Sequence, residues 1–166
     1  NSYQQAVCWI NTPDGSGSGF LFHDDRTVVT AAHVLTTPQL DDIEFVFDAG
    51  TSNSITRRGC QLIFYDAEQD VCLLRLSEPM NERVSLSYRA TLRPSTGTGV
   101  AVMGHPMRRK KPIRTERTGS ISNVRPDEFE LSMELKPGYS GGPVCLASTG
   151  EVLGVVSYKI EDSAQY

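Results

Sequence analysis

The chemistry this chain could do starts at Ser140, which sits within Lys136-Pro137-Gly138-Tyr139-Ser140-Gly141-Gly142-Pro143-Val144. A serine hydroxyl is a weak nucleophile at its own pKa. It needs an adjacent base and an accessible, tightly turned backbone. The flanking glycines suit such a turn, because they tolerate φ > 0 and let backbone N–H groups approach a ligand. The same letters also describe an ordinary turn between two strands. A base would have to come from His23, His33 or His105, the three histidines of the chain. A carboxylate would have to hold that base in the right tautomer.

Chain order narrows the choice. Gly138-Tyr139-Ser140-Gly141-Gly142 fits a G-x-S-x-G elbow formally. That elbow requires the order serine, acid, histidine, and no histidine follows Ser140. An acid-histidine-serine order could use Asp24 or Asp25 before His33, but it needs a helix-rich α/β fold. No segment here sustains a 3.6-residue apolar period. The order that remains is histidine, aspartate, serine, and His33, Asp70 and Ser140 satisfy it.

The elements that must position these residues read as short strands. Ala6–Ile10, Phe20–Phe22, Thr27–Thr30, Ile43–Phe47, Gly59–Tyr65 and Val71–Leu76 are apolar and partly β-branched or aromatic. His23-Asp24-Asp25-Arg26 reads as the polar turn of a hairpin, and Thr12–Gly19 as a glycine-rich loop. That loop lacks the Lys-Ser/Thr ending of a phosphate cradle. The second half repeats the style in Gly99–Gly104, Arg114–Val124, Glu128–Leu135, Val144–Ala147 and Val152–Ser157. Phe129, Leu131, Met133 and Leu135 alternate with Glu130, Ser132, Glu134 and Lys136. Many short strands with regular turns predict a closed barrel or a sandwich.

Three motifs then carry a resemblance to the trypsin-like (chymotrypsin-fold) serine peptidases. Val28-Val29-Thr30-Ala31-Ala32-His33-Val34 resembles their T-A-A-H segment. Asp70-Val71-Cys72-Leu73-Leu74 resembles their aspartate-headed strand, and Pro137-Gly138-Tyr139-Ser140-Gly141-Gly142-Pro143 their G-x-S-G-G-P turn. The likeness runs from Gly17-Ser18-Gly19-Phe20 to Gly154-Val155-Val156-Ser157. Met103-Gly104-His105-Pro106 and Gly119-Ser120-Ile121-Ser122 resemble segments of the HtrA-like branch in particular.

The resemblance implies an all-β fold of two antiparallel six-stranded β-barrels, with the site in the cleft between them. Residues 1–85 would carry His33 and Asp70, and residues 86–166 Ser140, together forming one peptidase domain. It implies a serine endopeptidase acting on protein or peptide substrates, with no cofactor and no metal. Ser140 would attack, His33 would shuttle the proton and Asp70 would orient His33. The N–H groups of Gly138 and Ser140 would form the oxyanion hole. The substrate backbone would lie along Ser157-Tyr158-Lys159, and Ser157 matches the serine that covers the aspartate. Leu135, in preference to Glu134, would line the pocket for the residue before the cut, favouring small or apolar side chains. His105 is expected to be structural. The alternative is a catalytically silent module that keeps the fold for binding.

Two departures separate the chain from the disulfide-rich digestive branch. Val34 follows His33 where that branch has cysteine, and Tyr139 precedes Ser140 where it has aspartate. That aspartate pairs with a newly cut N-terminal amine, so activation of that kind is not expected here. The branch that fits also continues past Tyr166, in HtrA types into a PDZ domain, and Asn1 is not expected to be the natural start.

The remaining signals are broader. A net charge of −4 excludes nucleic-acid binding by bulk charge. Arg108–Arg117 is the exception, with six cations against one anion. It reads as a solvated loop or as a docking point for an acidic partner. No apolar run reaches the length of a membrane span. Cys8, Cys60, Cys72 and Cys145 lack metal-ligand spacing and read as small buried thiols, compatible with a reducing compartment such as the cytoplasm.

Overall fold

The computed structural model describes residues 2–36, 39–81, 83–108 and 111–157. Residues of the first half form one antiparallel sheet. Its strands are β1 (Val7–Thr12), β2 (Gly15–Leu21), β3 (Thr27–Thr30), β4 (Glu44–Phe47), β5 (Ile55–Arg58), β6 (Cys60–Asp66) and β7 (Val71–Leu76). They lie in the order β5-β4-β1-β2-β3-β7-β6. The outermost strands, β5 and β6, are consecutive in the chain and meet at Gly59. Its φ of 87° is open to glycine and strained for a side chain. Gly59 N–H donates to the Ile43 carbonyl and Gly59 O accepts from Ser77 N–H, so the sheet curls until its ends meet. Seven strands stand where six are expected, because segment 55–66 breaks at Gly59 and pairs with β4 before it and with β7 after it.

The second half forms a curled sheet of five strands in the order β12-β11-β8-β13-β14. These are β8 (Gly99–Gly104), β11 (Thr115–Val124), β12 (Phe129–Leu131), β13 (Pro143–Leu146) and β14 (Val152–Val155). This is one strand short of the six expected, and β9 (Met107–Arg108) with β10 (Lys111–Pro112) forms a separate two-stranded ribbon. Among the described residues there is no α-helix, only short 3₁₀ segments. All-β architecture is therefore what the chain adopts.

Alternation explains which side chains fill the interior. In β4 Phe45 and Phe47 point inward, and in β7 Cys72, Leu74 and Leu76 do so. They join Ile10, Phe20, Leu21 and Val28 in the first core. Full burial of each large apolar side chain contributes about 1.5–3 kcal/mol. Val100, Val102, Ile121, Tyr139 and Val144 make the second core. Met103 and Cys145, from the second sheet, pack into the first core, so the two halves share apolar contacts. All four cysteines are buried thiols. Burial pushes the thiols of Cys60, Cys72 and Cys145 up to about 11, 12 and 12.

Two further sequence expectations change. The glycine-rich stretch before Phe20 is strand β2, not a loop. A Cβ on Gly19 would lie 2.7 Å from Ile10 Cδ1, and one on Gly17 2.6 Å from Val34 Cγ2, so its glycines serve close packing inside a sheet. The alternating stretch after Glu128 stops as a strand at Leu131. Beyond it Ser132 and Ser120 bond to each other through backbone and hydroxyl, which replaces the ladder.

Candidate functional site

Register brings His33 and Asp70 together. In the antiparallel pair β3–β7, Thr30 lies opposite Cys72. His33 lies three residues beyond Thr30, in the 3₁₀ segment Ala32–Val34, and Asp70 lies two residues before Cys72. Both therefore emerge at the same end of the pair. Asp70 has φ 58°, a left-handed conformation that aspartate tolerates better than most side chains. There its carboxylate caps the turn: Oδ1 accepts the His33 backbone N–H at 2.9 Å and Oδ2 meets His33 Nδ1 at 2.7 Å.

Ser157 Oγ donates to the same Oδ2. Burial pushes the Asp70 carboxyl up. The hydrogen bonds from Ser157, the His33 backbone and the His33 ring, with the charge interaction of His33, outweigh it and hold the carboxyl below its ordinary value. An ionised Asp70 accepts the Nδ1 proton and leaves Nε2 as the acceptor of a neutral ring. Asp70 is almost wholly buried, with 4% of its side chain exposed, whereas His33 keeps 34%, so the ring has a reachable edge.

Ser140 follows a 3₁₀ segment, Pro137–Tyr139. Two bonds lock the turn to the end of the second sheet, Gly141 N–H to Val156 O at 2.8 Å and Val156 N–H to Gly142 O at 2.9 Å. Val156 precedes Ser157, which holds Asp70. A short bonded path thus runs from the serine turn through 156–157 to Asp70 and His33. Gly141 has φ 90°, and a Cβ there would fall 2.0 Å from Ser18 O, so neither the conformation nor the space admits a side chain.

The two expected oxyanion donors stand differently. Ser140 N–H donates to Pro137 O at 2.9 Å, closing the 3₁₀ turn, so in this conformation it is used internally. Gly138 is glycine for a packing reason: a Cβ would lie 2.6 Å from His105 O. Tyr139 is 2% exposed and packs into the second core, filling with an aromatic ring the position where the digestive branch carries a carboxylate. Leu135 is half-buried against that core, and Glu134 is exposed with its carbonyl accepting from Arg117. The hydroxyl of Ser157 is engaged by Asp70. Tyr158 and Lys159 lie outside the described residues.

His105 is fully buried, and among the described residues neither ring nitrogen has a hydrogen-bond partner. Burial, with the Arg114 charge adding to it, pushes its pKa down to about 3, so the ring is neutral. Within the basic stretch Arg114 donates to Asp48 Oδ1 at 2.7 Å and to Gln4 O at 2.9 Å, and Arg83 donates to Asp48 Oδ2 at 3.1 Å. Arg109 and Lys110 lie outside the described residues.

Ser18 escaped the sequence reading, because a serine between glycines looks like loop. Every polar group it has is engaged. Its N–H donates to Ser140 O at 2.8 Å, its carbonyl accepts from Thr30 Oγ1, and its hydroxyl lies between Gly138 O and His105 N–H. The signal that could have found it is a polar residue flanked by glycines inside a segment able to alternate as a strand.

Comparison with known proteins agrees with this architecture. The family model described as trypsin-like peptidase domain matches residues 17–155. The chain is 27% identical over 158 residues to Protease Do-like 1, chloroplastic, of Arabidopsis thaliana, covering 88% of this chain and 34% of that protein. It is 29% identical over 155 residues to Serine protease HTRA1B of Danio rerio, covering 87% of this chain and 30% of that one. The chain thus spans about a third of the length of these curated relatives. Among solved structures, the MamO protease domain of Magnetospirillum magneticum superposes with a TM-score of 0.74 at 16% identity, covering 93% of this chain and 85% of that one. At that identity the likeness concerns the fold, two curled sheets of the chymotrypsin type.

Proposed function

The chain belongs to the trypsin-like peptidase family, with homologues among the HtrA-type serine proteases, and from that premise we propose that it is a serine endopeptidase working through an acyl-enzyme. The observation that carries the reading is the His33–Asp70 pair, at 2.7 Å through Nδ1 and 2.9 Å through the backbone N–H, tied by Ser157 to the strand end that holds the serine turn. Ser140 Oγ attacks the scissile carbonyl as His33 Nε2 takes its proton. The protonated ring then delivers that proton to the leaving amine, and water repeats the sequence on the acyl ester. Asp70 keeps the ring in the tautomer that leaves Nε2 basic and stabilises the imidazolium.

The oxyanion hole in this reading requires one local movement. Ser140 N–H is held by Pro137 O, and that carbonyl belongs to the Pro137–Gly138 peptide. Rotating this peptide plane turns Pro137 O away and swings Gly138 N–H inward. One rotation therefore frees one donor and aims the other. Each such donor contributes about 3 kcal/mol to the transition state. Glycine at 138 lowers the torsional barrier to the rotation. Peptide substrates follow from the family. In this reading Leu135 lines the pocket for the residue before the cut, and the backbone of 157–159 pairs with the substrate chain.

The closed turn also favours a second reading, a module that keeps the fold and binds without cutting. A fluorophosphonate probe separates the two. Covalent labelling of the folded chain, lost in Ser140→Ala, is the expected result. A folded wild-type chain that takes up no label in the presence of peptide overturns the enzyme reading. Ser140→Ala is expected to lower turnover about 10⁶-fold if the three residues act as a unit.

A further inference from the structure

We infer that Ser18, on the first sheet, is a positioning residue for the nucleophile turn of the second. The inference rests on the peptidase reading above and adds a residue to it. Ser18 is fully buried in β2 and is the hub of four hydrogen bonds. Three of them reach residues of the second half. Its N–H donates to Ser140 O at 2.8 Å, its Oγ donates to Gly138 O at 2.7 Å, and its Oγ accepts His105 N–H at 2.9 Å. The fourth holds Ser18 itself, because Thr30 Oγ1, also fully buried, donates to its carbonyl at 2.7 Å. Thr30 lies three residues before His33. One residue thus ties the strand leading to His33 to both ends of the turn that carries Ser140.

The position of the hydroxyl gives it a specific task. Gly138 O belongs to the peptide after the one that must rotate to open the oxyanion hole. Holding that carbonyl fixes the far side of the hinge, so that the Pro137–Gly138 plane turns while Ser140 stays in place. His105 N–H completes the anchor, since His105 backs directly onto Gly138. Ser18 touches no reacting atom in this scheme. It sets where the Gly138 and Ser140 amides point, and a misplacement of about 1 Å in such a site costs on the order of 10²-fold in rate.

The test is saturation labelling with a fluorophosphonate–rhodamine probe on wild type, Ser18→Ala and the exposed neighbour Ser16→Ala, each normalised to folded protein by its thermal transition. Ser18→Ala is expected to lower the limiting labelling rate about 10- to 100-fold. The half-saturating probe concentration is expected to stay within about threefold of wild type. Ser16→Ala should match wild type in both. A residue with a merely structural role would lower the folded fraction and leave the limiting rate of folded molecules unchanged. Should the alanine variant not fold, Ser18→Cys, nearly isosteric but with a weak S–H donor, carries the same expectation. A wild-type limiting rate in either folded variant overturns the inference. Absence of labelling in wild type itself, with peptide present, would instead overturn the peptidase reading.

Discussion

The two halves that carry the candidate residues are built differently. On the first sheet, His33 and Asp70 already meet, at 2.7 Å through Nδ1 and 2.9 Å through the backbone N–H. The ring is held through Nδ1, and Asp70 receives donors from Ser157, the His33 backbone and the His33 ring. On the second sheet, the turn before Ser140 spends the Ser140 amide on its own Pro137 carbonyl. In the peptidase reading, one half is preorganised, and the other would have a bond to break before it could stabilise an oxyanion. The difference follows from the local backbone. Asp70 is fixed by the β3–β7 register, whereas residues 137–139 form a short 3₁₀ segment whose hydrogen bonds are poorer than those of a sheet. A peptidase with this division would hold its proton relay ready and be governed through the turn.

Breaking the fixed half has the larger expected effect. Asp70→Asn keeps the shape but reverses the side-chain donor pattern, so His33 is held in the wrong tautomer. Turnover is expected to fall about 10⁴-fold, measured by cleavage of a fluorescent casein, with the fold retained by circular dichroism. Should Asp70→Asn keep wild-type turnover, the relay is not where the geometry puts it.

Breaking the switchable half comes next. Gly138→Ala places a Cβ 2.6 Å from His105 O, and relief requires the turn to move. Turnover is expected to drop at least about 10²-fold, the scale of one lost oxyanion donor. The deshielded proton resonance of the His33–Asp70 bond should persist in the NMR spectrum. Loss of that resonance in a folded Gly138→Ala variant would show the halves to be one unit.

Ser157→Ala probes the link between the halves. Asp70 is held below its ordinary pKa, near 3.9 for a free aspartate. Its contribution to stability is therefore full above about pH 4 and is lost as pH falls through the lower folded value. Removing the Ser157 donor raises that folded value. The acid-side fall of the thermal midpoint is expected to begin at a higher pH in Ser157→Ala than in wild type, with only a few-fold loss of turnover. Superimposable acid limbs for the two proteins would show that Ser157 does not act on Asp70.

The smallest effect is expected at the clamp behind the basic stretch. Arg114→Gln removes a charged donor from Asp48 and Gln4 O. Both side chains are partly exposed, so the expected loss is about 1–2 kcal/mol in a urea titration. Labelling kinetics of the folded variant should stay close to wild type.

How much of this was legible beforehand depends on the range of the interaction. The sequence by itself determined the strand style, because period-2 burial is a local property that Phe45, Phe47, Leu74 and Leu76 write directly into the chain. Chain order determined the candidates His33, Asp70 and Ser140, since the competing orders lacked a histidine or a helix. Only the tertiary structure decided the rest. It turned the Gly17-Ser18-Gly19 stretch from loop into strand, because its glycines answer to Val34, Ile10 and Ser140, which are distant in sequence. It gave Gly138 a packing reason against His105, which glycine's conformational freedom alone does not supply. It also spent the Ser140 amide on Pro137 O, a choice of peptide orientation that residue types do not encode. Which groups can react is written in residue types and their order. Which of them point the right way is set by contacts between segments that meet only when both sheets have closed.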